Sequence, residues 1–180
     1  LLARVCLYAG QRENAFNYST EVIKASNNGI FPFVDRSLVN GTAQDPDRIF
    51  SPEVLFALSD SQRGELFEEY FDPSLAPNMV FRMETDLLEQ TIYGGTGTGG
   101  NLDDYRCRSN WISSGSARYF YKYSDMTESG RIENTMIPLL RLGEMYLIAA
   151  ESQSNSLANG VSYINTLRKN RGVSNLQTLT

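Results

Sequence analysis

The run Ile137-Pro-Leu-Leu-Arg-Leu-Gly-Glu-Met-Tyr-Leu-Ile-Ala-Ala-Glu151 constrains this chain more than any other segment. Wound at helical pitch it is apolar almost all the way round, and a helix without a polar face is buried between other elements. It nevertheless carries Arg141, Glu144 and Glu151. Charges removed from water are costly unless paired, so this helix requires polar partners at defined places. Glu144 and Glu151 fall within about 20° of each other on a helical wheel, and Arg141 lies about 60° from Glu144. Pro138 suits a first helical turn, which predicts a helix from Ile137 to about Ser154.

A second helix is expected after a turn over residues 155–160. It carries Leu157 or Val161, then Ile164 and Leu167, and runs to about Asn170, with Gly172 as its stop. Folded back antiparallel, it sets Arg168 between the levels of the two glutamates and Arg171 near Glu144. The spacing therefore predicts an ionic ladder of Glu144 and Glu151 with Arg168, Arg171 and Arg141. Arginine suits such a ladder because its planar fork can serve two carboxylates. A catalytic role for the two glutamates is the poorer reading, because a helix core leaves no room for substrate.

Bulk properties exclude several functions. The chain has 180 residues, room for one or two domains with a substantial core. A net charge of −5 argues against a general nucleic-acid binder. The sequence holds no histidine, which removes serine–histidine and cysteine–histidine catalysis and the commonest transition-metal ligand. Cys6 and Cys107 can form one disulfide or stand as two buried thiols, the second being favoured; neither has metal-ligand spacing. Asp103-Asp104 lacks the spacing of a calcium loop. No cofactor and no metal is implied. The longest apolar stretch is too short and too interrupted to cross a membrane. The chain opens inside a helix-like pattern without an initiator Met, so it reads as a piece of something longer.

The rest of the sequence divides into three parts. Residues 1–26 read as a helical hairpin, with Leu1, Val5 and Tyr8 on one face and Ala15, Tyr18, Val22 and Ala25 on another. Ala3, the turn glycine Gly10 and Ala15 let two helices approach closely, as in a tetratricopeptide hairpin. Residues 27–135 read as a long, irregular, aromatic-rich insertion. Within it Val54–Leu58 suggests a short strand, Glu65–Phe71 and Met83–Ile92 short helices, and the alternation of Tyr119, Tyr121 and Tyr123 a strand. A loop excursion this long in a compact domain is usually functional or disordered, and its density of Phe and Tyr argues against disorder. Residues 137–171 form the second hairpin. The fold class is thus mainly α, tetratricopeptide-like helical hairpins with a long irregular insertion and a few short strands.

At this point the sequence resembles the SusD/RagB family. The family's pattern is an Arg, a Glu three residues on, an Ala-Glu further along the same helix, then a helix with Asn-x-x-Arg-x-x-Arg/Ala-Gly. Arg141, Glu144, Ala150, Glu151, Asn165, Arg168, Arg171 and Gly172 occupy those places. The opening Leu2–Gly10 with Ala15 and Val22-Ile23 resembles the family's earlier hairpin, and Ser51-Pro-Glu-Val-Leu-Phe56 its Glu-Val-Ile/Leu-Phe segment. The resemblance spans nearly the whole chain in the expected order, but whole members are much longer, so the chain is expected to be a fragment or a shortened relative. What the resemblance implies is a non-enzymatic lipoprotein on the outer-membrane surface of Bacteroidetes. It implies a glycan or other nutrient ligand, and a SusC-like TonB-dependent transporter as partner.

Sugar rings present apolar C–H faces and hydroxyl rims; aromatic rings stack on the former, and Asp, Asn and Arg hydrogen-bond the latter. The best local concentration of such residues follows Tyr93 and its glycine-rich loop: Asn101-Leu-Asp-Asp-Tyr-Arg-Cys-Arg-Ser-Asn-Trp111. Trp111, Tyr105 and Tyr93 are the candidate stacking platforms, and Asn101, Asp104 and Arg106 the candidate hydrogen-bonding groups. The bland alternative for Trp111, the only tryptophan, is a packing role. The Tyr93–Gly100 run lacks the Gly-Lys-Ser/Thr ending of a phosphate loop.

Three functions compete. The leading one is glycan binding for uptake. The second is a tetratricopeptide-like protein–protein interaction module, which has no need of an aromatic excursion. The third is a glycoside hydrolase using carboxylates among Glu68, Glu69 and Asp72. Adjacent acids on one short helix more often form its solvated face than a pair set across a cleft.

Overall fold

The helices are, in chain order, α1 (Leu2–Tyr8), α2 (Arg12–Asn27), α3 (Arg36–Val39), α4 (Arg63–Tyr70), α5 (Tyr105–Ser109), α6 (Leu142–Ser152) and α7 (Leu157–Lys169). The strands are β1 (Val54–Ser59), β2 (Trp111–Ser114), β3 (Ala117–Phe120) and β4 (Met136–Arg141). A computed structural model describes residues 1–39, 45–94, 103–128, 130–153 and 155–176. The architecture is mainly helical, and the chain falls into two compact units.

The first unit comprises Leu1–Val34, Pro52–Phe56 and Pro138–Thr180. Its core is built on α6, as an all-round apolar helix demands. Leu142, Met145, Tyr146, Ile148 and Ala149 are buried together with Ala3 and Cys6 of α1 and Ala15 and Ile23 of α2. The small side chains at positions 3 and 15 permit this close packing. The α1–α2 turn uses Gly10 at φ 73°, a conformation that costs a residue with a Cβ. Aromatic contacts complete the core: Phe16 meets Tyr163 edge-on at 5.9 Å, and Phe33 meets Tyr146 at 5.2 Å.

The helix begins later than the sequence pattern predicts. Residues 136–141 form β4, which pairs with β1, and α6 starts at Leu142. The cause is local. Ile137 precedes a proline, whose ring disfavours the α region for the residue before it. Pro138 itself lacks an N–H but is tolerated in a two-stranded sheet, where every strand is an edge. Arg141 is therefore extended, at φ −130° and ψ 152°, and never joins the helical stripe.

The ionic ladder is consequently not formed as predicted. Glu144 pairs instead with Arg4 of α1, whose Nε reaches Oε1 at 2.5 Å and whose Nη2 reaches Oε2 at 2.7 Å. Arg171 lies beyond the end of α7, where the chain bends toward Gly172 at φ 74°, so helical extrapolation misplaces it. Its guanidinium grips the buried carboxylate of Glu53: Nη1 donates to Oε1 at 2.8 Å, and Nη2 donates to Oε2. Arg168 donates to the Ser174 carbonyl at 2.7 Å. Glu151 is exposed and has no ion-pair partner among the described residues.

Gly160 of α7 sits where a Cβ would lie 3.0 Å from the Ala150 carbonyl oxygen of α6. Alanine gains nearly 1 kcal/mol of helix propensity over glycine elsewhere. Here the obstacle is backbone, so Gly160→Ala is expected to destabilise the protein by about 1–2 kcal/mol net, read as the urea midpoint. Gly143→Ala is the control. Its nearest obstacle is the flexible Leu167 Cδ1 at 3.4 Å, and that variant is expected to hold or gain stability.

The second unit comprises Asp35–Ser51 and Ala57–Ile137. Its β2–β3 hairpin turns at Gly115, φ 60°, with Trp111 opposite Phe120 and Ser114 opposite Ala117. The tyrosine alternation overstates β3, which ends at Phe120. Beyond it the Tyr121 amide still donates to Asn110 at 2.7 Å, but a turn follows, closed by Ser124 N–H to the Tyr121 carbonyl. Tyr121 packs between the Phe67 ring at 5.1 Å and the Arg48 guanidinium at 4.5 Å. Cys6 and Cys107 are both free and buried, as the favoured reading holds.

Candidate functional site

The glycine-rich segment, Asn101 included, lies outside the described residues, whereas Tyr93, Asp104, Tyr105, Arg106 and Trp111 all lie in the second unit. Tyr93 closes a π-helical turn, Leu87–Ile92, its amide donating to the Leu88 carbonyl at 3.0 Å. Asp104 is the N-cap of α5. Its Oδ1 accepts from the Arg106 amide at 2.9 Å, so capping chemistry fixes where α5 begins. Trp111 opens β2, two residues past the end of α5. The hairpin register packs its indole against Phe120 at 5.2 Å and 63° between planes.

Four of the sequence-predicted residues come together. Trp111, Asp104 and Arg106 all act on the Tyr93 hydroxyl electrostatically. Burial pushes the Tyr93 phenol above its ordinary pKa, and the nearby Trp111 indole N–H partly offsets the rise. Asp104 is 2% exposed, and its oxygens are taken up by Arg106: Nε to Oδ1 at 3.0 Å and Nη2 to Oδ2 at 2.6 Å. That pairing raises the Arg106 pKa. Arg106 remains about half exposed, at 54% of its side chain. Asp104 thus anchors Arg106 and has little left to offer a ligand directly. Tyr105 has a different neighbour, the Arg36 guanidinium 6.0 Å from its ring centre. Beneath the cluster, burial pushes the Cys107 thiol up, with Arg118 as its cationic neighbour.

A half-buried indole, a phenol and a braced, half-exposed guanidinium can together stack on an apolar ring face and hydrogen-bond a hydroxyl rim. Among the described residues no group of three or more His, Cys, Asp or Glu could hold a metal ion. No helix of those residues is long and apolar enough to cross a membrane.

No family model matches the chain, and no curated protein matches it in sequence. Solved structures do. A SusD superfamily protein of Bacteroides thetaiotaomicron VPI-5482 superposes with a TM-score of 0.65 at 20% identity, over 98% of this chain and 40% of that one. The fold is SusD-like. A SusD-like carbohydrate binding protein of Bacteroides vulgatus ATCC 8482 superposes with a TM-score of 0.58 at 20% identity, over 99% of this chain and 37% of that one. The chain therefore spans well under half the length of the SusD-like structures it matches.

Sequence reasoning did not single out two groups that the geometry brings forward. Arg118 faces Cys107 because Ser113 pairs with it across the hairpin, and only the register reveals that placement. Phe81 stands alone between turn residues, with no periodicity to mark it, yet it is 64% exposed and in contact with two other rings.

Proposed function

We propose that this chain is part of a SusD/RagB-family protein. In this reading it binds an oligosaccharide without transforming it, at the outer-membrane surface, and passes it to a SusC-like TonB-dependent transporter. The observation that carries the reading is the SusD-like fold over nearly the whole chain, shared with a carbohydrate binding protein. The helical scaffold is then tetratricopeptide-like, with α1–α2 and α6–α7 as its hairpins. Trp111 and Tyr93 stack on sugar faces, joined by Tyr105, while Arg106 hydrogen-bonds ring hydroxyls. Asp104 acts through Arg106 as a positioning residue, and Asn101 contributes a further hydrogen bond.

The test is a glycan array followed by calorimetry on the best ligand. Trp111→Ala is expected to weaken binding about tenfold or more, the scale of one aromatic stacking contact with its buried surface. Trp111→Phe is expected to recover much of the loss. Unchanged affinity in a folded Trp111→Ala protein would remove Trp111 from the site. One observation favours the interaction-module reading: an open groove of about 420 Å³ between α6 and α7, where Leu147 and Leu157 are 51% and 64% exposed. Capture of a protein partner by that face, with no glycan bound at all, would decide for it.

A further inference from the structure

The second unit holds an aromatic surface that the cluster around Trp111 does not use. Phe81 is 64% exposed, and its ring lies 5.7 Å from Tyr70 at the end of α4 and 6.3 Å from Phe71. The surface is fixed by the backbone. The Phe81 amide donates to the Tyr70 carbonyl at 2.7 Å. The loop between them is turned by Asp72, whose Oδ1 accepts from the Ser74 amide at 2.7 Å. The Glu69 carboxylate lies close enough to the Tyr70 hydroxyl to act on it electrostatically, so a polar rim borders the rings. This arrangement also accounts for Glu69 and Asp72, the acids considered as hydrolase residues. Glu69 stands beside the Tyr70 hydroxyl, and Asp72 caps a turn.

Directly after Phe81 the chain lines a cleft of about 430 Å³, within the range of small-ligand pockets, roughly 300–1,000 Å³. Its walls are Arg82, Glu84, Thr85, Asp86 and the hairpin turn at Ser116. Charged groups of both signs beside hydroxyls suit a ligand rich in hydroxyl groups and do not suit an apolar peptide or a lipid chain. An exposed aromatic face next to such a cleft has the two chemistries that a pyranose ring requires.

The geometry links this place to Trp111. Three ring-to-ring steps of 6.3, 5.6 and 5.2 Å lead from Phe81 through Phe71 and Phe120 to Trp111. Trp111 and Ser114 also lie at opposite ends of one hairpin arm, about 10 Å apart at the usual strand rise, and Ser116 stands in the turn just beyond. We infer that Phe81 and Tyr70, beside the Arg82–Asp86 cleft, form a second sugar-stacking subsite, and that the ligand is an oligosaccharide long enough to reach it from Trp111. This rests on the glycan-binding reading and adds to it a length requirement.

The experiment is calorimetry on a length series of whichever glycan the array identifies, using wild type, Phe81→Ala, Phe81→Tyr and Trp111→Ala. Circular dichroism confirms that each is folded. Phe81→Ala is expected to weaken the longer oligosaccharides about tenfold and to leave the shortest bound member unchanged, with Phe81→Tyr near wild type. Trp111→Ala is expected to weaken every length. Equal binding of all lengths by Phe81→Ala and wild type overturns the subsite while glycan binding stands. So does an equal loss at all lengths. A wild-type self-association that Phe81→Ala abolishes, with glycan affinity untouched, assigns the surface to a second copy of the chain and overturns the sugar assignment. Failure of the wild type to bind any glycan removes the parent reading, and this one with it.

Discussion

Arg171→Ala is expected to destabilise the protein by about 3–5 kcal/mol, the cost of leaving a buried carboxylate without its partner. Glu53 is fully buried, and besides both arms of Arg171 its Oε1 accepts only the Val34 amide, at 3.2 Å, among the bonds the described residues make to it. Arg171 also lies 5.7 Å over the Phe33 ring, so truncation removes a packing surface as well as a charge. Lysine will not rescue it, because a point charge cannot occupy both carboxylate oxygens in one plane. Total stability of a domain is only about 5–15 kcal/mol, so this single change takes a large share of it. The paired variant Glu53→Met with Arg171→Met separates a stabilising contribution from mutual compensation. It is expected to be markedly more stable than either single change, because two buried charges leave together. Urea midpoints of the four proteins give the coupling. A double variant no better than the singles would contradict the account.

That pair also marks what could be read from the sequence and what could not. The α6 core was legible because an apolar run at helical pitch has few ways to satisfy itself, and Leu142, Met145 and Ile148 are buried accordingly. Its N-terminal boundary was not, because the Ile137-Pro138 step turns five apolar-rich residues into strand. The demand for charge partners was legible, but their identity was not. A helical wheel knows only its own helix, whereas Arg4 and Glu53 arrive from distant segments. The candidate site divides in the same way. Asp104, Arg106 and Trp111 lie within one short stretch, so a cap, a helix turn and a strand start bring them near each other. Tyr93 joins them from the far side of the glycine-rich segment, and its nearness to Trp111 is a tertiary fact. Phe81 carried no pattern to read, because a lone aromatic among turn residues is informative only once its exposure is known.

Arg63→Ala is expected to cost about 3 kcal/mol, with the loss confined to the second unit. The side chain is 3% exposed and reaches three backbone carbonyls: Nη1 donates to Glu133 at 2.5 Å and Met136 at 3.2 Å, and Nη2 to Ser124 at 3.5 Å. The Ser124 and Glu133 carbonyls belong to turns and the Met136 carbonyl to the first residue of β4, so the guanidinium ties these three places together with hydrogen bonds that no ladder supplies between them. The site is not optimised for charge. Burial lowers the Arg63 pKa, Asp125 only partly opposes this from 3.6 Å, and Nε has no partner among the described residues. Removing the side chain therefore relieves a desolvated charge while stranding the carbonyls, and the second effect is the larger because each buried orphan acceptor costs about 1–3 kcal/mol. Arg63→Lys keeps the charge but cannot fork between segments, so it is expected to recover less than half of the loss. Native-state hydrogen exchange distinguishes this from general destabilisation. Amides of α4 and the 121–136 segment should lose protection, while those of α2 and α6 keep theirs. Uniform loss across both units would show that Arg63 supports the whole chain and not the irregular unit it sits in.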